Sequence, residues 1–140
     1  MTISNALMQA YLSTTFCIDD LGLKFEFQPN VFCPDLQKLH HAHSCQTSAL
    51  ITAFNPYSVE QSAQTNDNLQ AQLVHDLKLD GFTLLNGYGK GSDERLDWVE
   101  MSVLALNIDY DSAVKYARKY KQNAFVWVDA SAIPQLVITA

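Results

Sequence analysis

Residues 49–54, Ala-Leu-Ile-Thr-Ala-Phe, are an apolar run of strand length with almost no polar alternation, and Asn55-Pro56 ends it. Such a run suits an interior strand covered on both faces. The period then changes. Val59, Ala63, Asn66, Leu69, Leu73 and Leu77 recur at helical spacing with Val74 beside them, so one stripe of a helix faces a core. A covered strand feeding an amphipathic helix requires a sheet with helices packed on it. Ser58 and Gln61 fit the Ser-x-x-Gln capping box, which predicts the helix start there. Gly81 after Asp80 can stop it.

The same two periods run through the rest of the chain. Ser4 or Asn5 can cap a short helix carrying Leu7, Met8, Tyr11 and Leu12. Residues 14–18 are rich in β-formers, and Asp19-Asp20 reads as a turn. Leu21, Leu23, Phe25 and Phe27 alternate with Gly22, Lys24 and Glu26, which predicts a hairpin. Pro34 or Asp35 opens a helix in which Leu36, Leu39, His40 and His43 share one face. Residues 82–85 read as a strand and Gly87 to Asp93 as a Gly-rich loop. Residues 96–108 read as a long strand, with Val99, Met101, Val103 and Ala105 on one side and Trp98, Glu100 and Ser102 on the other. Asp109 caps a helix to Lys121 with Ala113, Val114, Ala117 and Tyr120 inward. A strand over 124–128 follows, then an edge strand over 135–139 behind Pro134. The order α-β-β-α-β-α-β-β-α-β-β predicts an α/β (α+β) fold. It is expected as a single domain over residues 1–140, a mixed β-sheet of about six to seven strands with about four helices packed on it.

Composition bounds the function. The chain has 140 residues, 48% of them hydrophobic and 17% charged, which is enough to bury a core without disulfide staples. The balance of 9 basic against 15 acidic residues, net −6, repels phosphate backbones and excludes nucleic acid as a partner. Lys115, Arg118, Lys119 and Lys121 read as a solvated face at a helix C-terminus, where the dipole favours cations, or as a patch for an anionic partner. The odd set Cys17, Cys33 and Cys45 fits free thiols in a reducing compartment. Residues 1–12 lack the basic and apolar regions of a signal peptide, and no stretch approaches the ~20 apolar residues of a membrane span. The expectation is a cytoplasmic protein without a membrane partner.

Polar residues in apolar settings supply the candidate site. Asn55-Pro56 lies at the end of the expected central strand, where open α/β sheets often take ligands, and it is also an ordinary turn signal. Asn66 sits on the leucine stripe and needs partners, either in a neighbouring loop or in a pocket. Glu100 becomes a general acid or base if helices cover its face, and a solvated carboxylate if they do not. Gln122 and Asn123 lie at a helix end, where capping also accounts for them. Gly87-x-Gly-x-Gly91 with Lys90 lacks the spacing and the strand-to-helix context of a phosphate loop. His40, His41, His43 and Cys45 form the one metal-like cluster, with His40 and His43 one turn apart. The set falls short of the ligands that zinc needs, so no metal and no cofactor is expected. No nucleophile elbow, His-Glu-x-x-His or Cys-x-x-Cys occurs.

Four pieces follow one another in order: Ile51-Thr-Ala-Phe-Asn-Pro56, the Ser62 to Asn66 segment feeding the leucine helix, Trp98-Val-Glu-Met-Ser102, and Lys121-Gln-Asn-Ala124 running into a strand. Together they resemble a bacterial family of unknown function, the one numbered 3293, over about residues 49 to 128. The family often has Phe-Gly-Gln where this chain has Tyr120-Lys121-Gln122, and residues 1–48 resemble it only loosely. The resemblance implies a cytosolic bacterial protein and no established activity. It groups Asn55, Asn66, Trp98, Glu100, Ser102 and Gln122 as one set, which suits a small polar ligand. The alternative is a protein-interaction module without catalytic activity, using a sheet edge or Tyr57, Tyr88, Tyr110, Tyr116 and Trp127. The acidic charge would then suit a basic partner.

Overall fold

The computed structural model describes residues 3–91 and 99–140. Its elements are helix α1 (Asn5–Leu12), strands β1 (Thr15–Asp20) and β2 (Leu23–Phe27), helix α2 (Pro34–Ala42), strand β3 (Ser48–Ile51), helix α3 (Ala63–Leu79), strands β4 (Thr83–Lys90) and β5 (Val99–Leu106), helix α4 (Tyr110–Lys119), and strands β6 (Ala124–Val128) and β7 (Gln135–Ile138). The strands form one seven-stranded sheet in the order β2-β1-β4-β5-β3-β6-β7. Every adjacent pair is antiparallel.

Antiparallel pairing throughout differs from the mixture of parallel and antiparallel neighbours that helix crossovers suggest. The crossovers do join parallel strands, β3 to β4 through α3 and β5 to β6 through α4, but each skips one position. Strand β5 fills the first gap and β3 the second. The unit β3-α3-β4-β5-α4-β6 is therefore the split βαβ arrangement of ferredoxin-like folds. The β1–β2 hairpin extends it beyond β4, and β7 extends it beyond β6.

The two faces of the sheet hold separate cores. On one face, Leu73 and Leu77 of α3 and Ala113, Tyr116 and Ala117 of α4 pack on Ala49, Ile51, Val103, Ala105 and Phe125. Asp76 ties the two helices, accepting from Lys119 Nζ at 2.8 Å and from the Tyr120 hydroxyl. On the other face, Leu36 and Leu39 of α2 pack on Ile18, Phe25, Leu50, Leu104, Val126 and Val128. Large side chains this buried stabilise by about 1.5–3 kcal/mol each. The split of Val103 and Ala105 to one face and Glu100 and Ser102 to the other follows the period-two reading.

Several local expectations are corrected. Asp19 and Asp20 belong to β1, and the hairpin turns at Leu21-Gly22, both left-handed at φ 49° and 87°. That is the twist a two-residue hairpin turn requires. The Gly-rich segment is strand rather than loop up to Lys90. There, a missing side chain lets β4 lie close against β1: a Cβ on Gly87 would stand 2.6 Å from the Cys17 carbonyl oxygen. Helix α3 starts later than expected. Its N-cap is Ser62, whose side chain accepts from Thr65 N at 3.1 Å, and Ser58 closes a single 3₁₀ turn instead. The strand over 49–54 pairs only to Ile51. The segment from Ser92 to Trp98, including the front of the predicted long strand, lies outside the described residues.

Candidate functional site

The chain leaving β3 turns sharply. Asn55, Tyr57 and Ser58 have φ of 48°, 54° and 63°, a left-handed conformation that costs a non-glycine residue about 1–3 kcal/mol and persists only when its surroundings enforce it. Here the Lys121 carbonyl accepts from Tyr57 N at 2.7 Å, and Asn123 Nδ2 donates to Ser58 Oγ at 3.0 Å.

Asn55 is the hub. Its backbone N donates to Asn66 Oδ1 at 2.8 Å, while its own Oδ1 accepts from Asn66 Nδ2 at 2.9 Å and from Gln61 N at 3.0 Å. Its remaining donor, Nδ2, reaches Glu100 Oε2 at 2.9 Å. Asn66 is thus a brace for the loop, one of the two roles open to it. One turn later on α3, Gln70 Oε1 accepts from Ala53 N at 2.8 Å, whereas its buried Nε2 has no partner among the described residues.

Glu100 leads from this brace into a cavity of about 50 Å³ on the α2 side of the sheet. Its polar lining is Tyr11, Thr14, Thr52, Glu100, Ser102 and Gln122, with Phe16, Leu50, Val126 and Leu136 among its apolar walls. Holding one water takes about 10–15 Å³ on this measure, so a few heavy atoms fit. Gly89 also lines the cavity, and a Cβ there would stand 3.3 Å from the Phe16 ring. Tyr11 forms part of the lining, its hydroxyl 2.8 Å from Ser58 Oγ. Burial pushes the Tyr11 phenol above its ordinary range; hydrogen bonds to Ser58 and Asn123 oppose this, and the charge of Glu100 adds to it.

Of the six residues grouped from the sequence, Glu100, Ser102 and Gln122 line one cavity, and Asn55 and Asn66 fix its rim. Trp98 lies outside the described residues. Tyr11, Thr52 and Gln70 were missed. Gln70 was open to detection, standing four residues after Asn66 on the same stripe. Tyr11 was not, because only the fold brings α1 to the site.

The other cluster does not assemble. His40 is buried and shares a 2.8 Å hydrogen bond with Ser48, while His43 is the exposed residue that ends α2. No group of three metal-ligating side chains converges among the described residues. No helix among them is long and apolar enough to cross a membrane.

A family model described as "Protein of unknown function (DUF3293)" matches residues 51–125, more than half of the chain. The match begins at the last residue of β3 and ends in β6, so it covers most of the split βαβ unit and the residues that brace the cavity. No curated protein and no solved structure matches the chain.

Proposed function

The chain belongs to the DUF3293 family, and from that premise we propose that it binds a small polar ligand in the cavity beside Glu100. One observation carries the reading: Glu100 and Ser102 of β5 and Gln122, which lies between α4 and β6, line the same void, among apolar walls. A few convergent polar groups in an apolar pocket are the usual form of a small-molecule site. The strained loop from Asn55 to Ser58 supports it. Left-handed non-glycine residues gather at functional sites, and these serve to place the amide that holds Glu100.

A thermal-shift screen of amines, amides, amino acids, nucleobases and small acids tests the reading. A ligand at about a hundred times its Kd adds ~2.7 kcal/mol of stability. The expected result is a shift in the native protein that is lost in Ser102→Val, whose added methyls fill the cavity. A compound that stabilises both proteins equally binds elsewhere. Silence from every class would make the cavity a packing feature.

A further inference from the structure

We infer that helix α1 is a gate over this cavity, latched by the hydrogen bond between Tyr11 and Ser58. Its purpose rests on the binding reading above; its motion rests on how α1 is held. The other helices are anchored by buried side chains, Leu36 and Leu39 of α2, Leu73 and Leu77 of α3, Ala113 and Ala117 of α4. No residue of α1 is buried. Leu7, Met8, Tyr11 and Leu12 are half-buried, so its apolar stripe only rests against the molecule. Its eight residues are too few to stay helical in water without that support.

The hydrogen bonds agree. Among the described residues, every bond from residues 4–13 closes within residues 4–14, except at the Tyr11 hydroxyl. That hydroxyl meets Ser58 Oγ at 2.8 Å, beside Asn123, which donates to the same oxygen at 3.0 Å. The strained loop thus carries two duties, Asn55 setting the cavity rim and Ser58 taking the latch. The latch also stands at a boundary. Tyr11 lines the cavity. Met8 and Leu12 line an open groove of about 410 Å³ with Ile133 and Gln135, and Leu136 lines both spaces. Releasing Tyr11 withdraws part of the cavity wall toward that groove. Strand β1 stays fixed between β2 and β4, and only Ser13 and Thr14 join it to α1, so the hinge lies there. A segment with so few buried contacts opens well before the whole fold does.

Thiol modification tests this without a ligand. Ser102→Cys places a thiol in the cavity, and an aromatic disulfide such as DTNB is too large for a space of a few heavy atoms. All proteins carry Cys45→Ser, which removes the one native thiol that is not buried, and Cys17, 0% exposed, reports global unfolding. The expected result is that the Ser102→Cys thiol reacts faster than Cys17, and about fivefold faster again with Tyr11→Phe, the worth of one net hydrogen bond. Ser48→Ala, which weakens the fold away from the cavity, should speed Cys17 and leave the cavity thiol unchanged. Equal rates for both thiols, raised together by Ser48→Ala, would mean that the cavity opens only when the fold does. Reaction at the rate of an exposed thiol in every variant would mean that it stands open. Either result overturns the gate, as does a rate indifferent to Tyr11→Phe. Native-state hydrogen exchange repeats the test on the unaltered protein: α1 amides should exchange together ahead of those of α2, α3 and α4, and exchange in step with them overturns the gate. Opening with no ligand found in the screen would overturn the binding reading alone, and a ligand found without such opening would overturn the gate alone.

Discussion

The two ends of β3 solve the same problem differently. At its start, Ser48 and His40 are both buried and bonded to each other, and Thr47 Oγ1 closes onto the Ile108 carbonyl at 2.7 Å. Past its other end, Asn55, Asn66, Glu100 and Gln122 form a larger polar set that borders a cavity. The first end has the ingredients of a hydrolytic triad, since the charge of Asp129 also acts on His40. Yet Ser48 is 0% exposed, so no substrate reaches its hydroxyl. The residue types at the two ends are alike; what differs is the cavity that the second end borders.

Variants at the two ends sharpen or break that contrast. The largest effect is expected from Asn55→Ala. It leaves the buried Asn66 amide and Gln61 N without their acceptor and places alanine in a left-handed conformation, so urea unfolding should show a loss of about 2–4 kcal/mol. A loss under 1 kcal/mol would mean that the hub is ornamental. Gly87→Ala comes next at about 2–3 kcal/mol, because the new Cβ meets the Cys17 carbonyl, which is backbone. Gly89→Ala, which meets the side chain of Phe16 at 3.3 Å, should cost about 1 kcal/mol and narrow the cavity. At the sealed end, Ser48→Ala should cost about 1–2 kcal/mol by stranding His40, with ligand response unchanged.

The smallest expected effect is pH dependence from the sealed end. Burial holds the His40 pKa below the usual imidazole value, and Asp129 only partly offsets this. Below pH ~6.5 the unfolded chain takes up a proton that the folded chain refuses. Stability therefore falls as pH drops from there toward the lower folded pKa. Chemical denaturation of the native protein and of His40→Asn at several pH values should show that acid-side loss in the native protein alone.

The fold was legible wherever one element carries its own signal. The alternation at Leu23 to Phe27, the leucine stripe of α3 and the β-formers of β6 each declare a period, and each became the expected element. The pairing was hidden because the interleaving of β3 and β5 depends on which gap a crossover leaves, and no single segment encodes that. The start of α3 was misplaced because two serines precede it. Ser58 is taken by Tyr11 and Asn123, leaving Ser62 to cap. At the site, Glu100 and Ser102 were readable from strand parity, and Asn66 from a polar break in an apolar stripe. Tyr11 was not readable, since its contact with Ser58 spans 47 residues.

Stability and ligand response measured together in Ser102→Val and Ser48→Ala test the central claim most directly. The account predicts opposite outcomes. Ser102→Val should stay within about 1 kcal/mol of the native protein, since an apolar group replaces a weakly bonded hydroxyl beside a void, and lose its response to the small polar ligand. Ser48→Ala should be the less stable variant and keep the response. Ser102→Val that is strongly destabilised yet still responds, or Ser48→Ala that stays stable and falls silent, would contradict the division of β3 into a sealed end and a binding end.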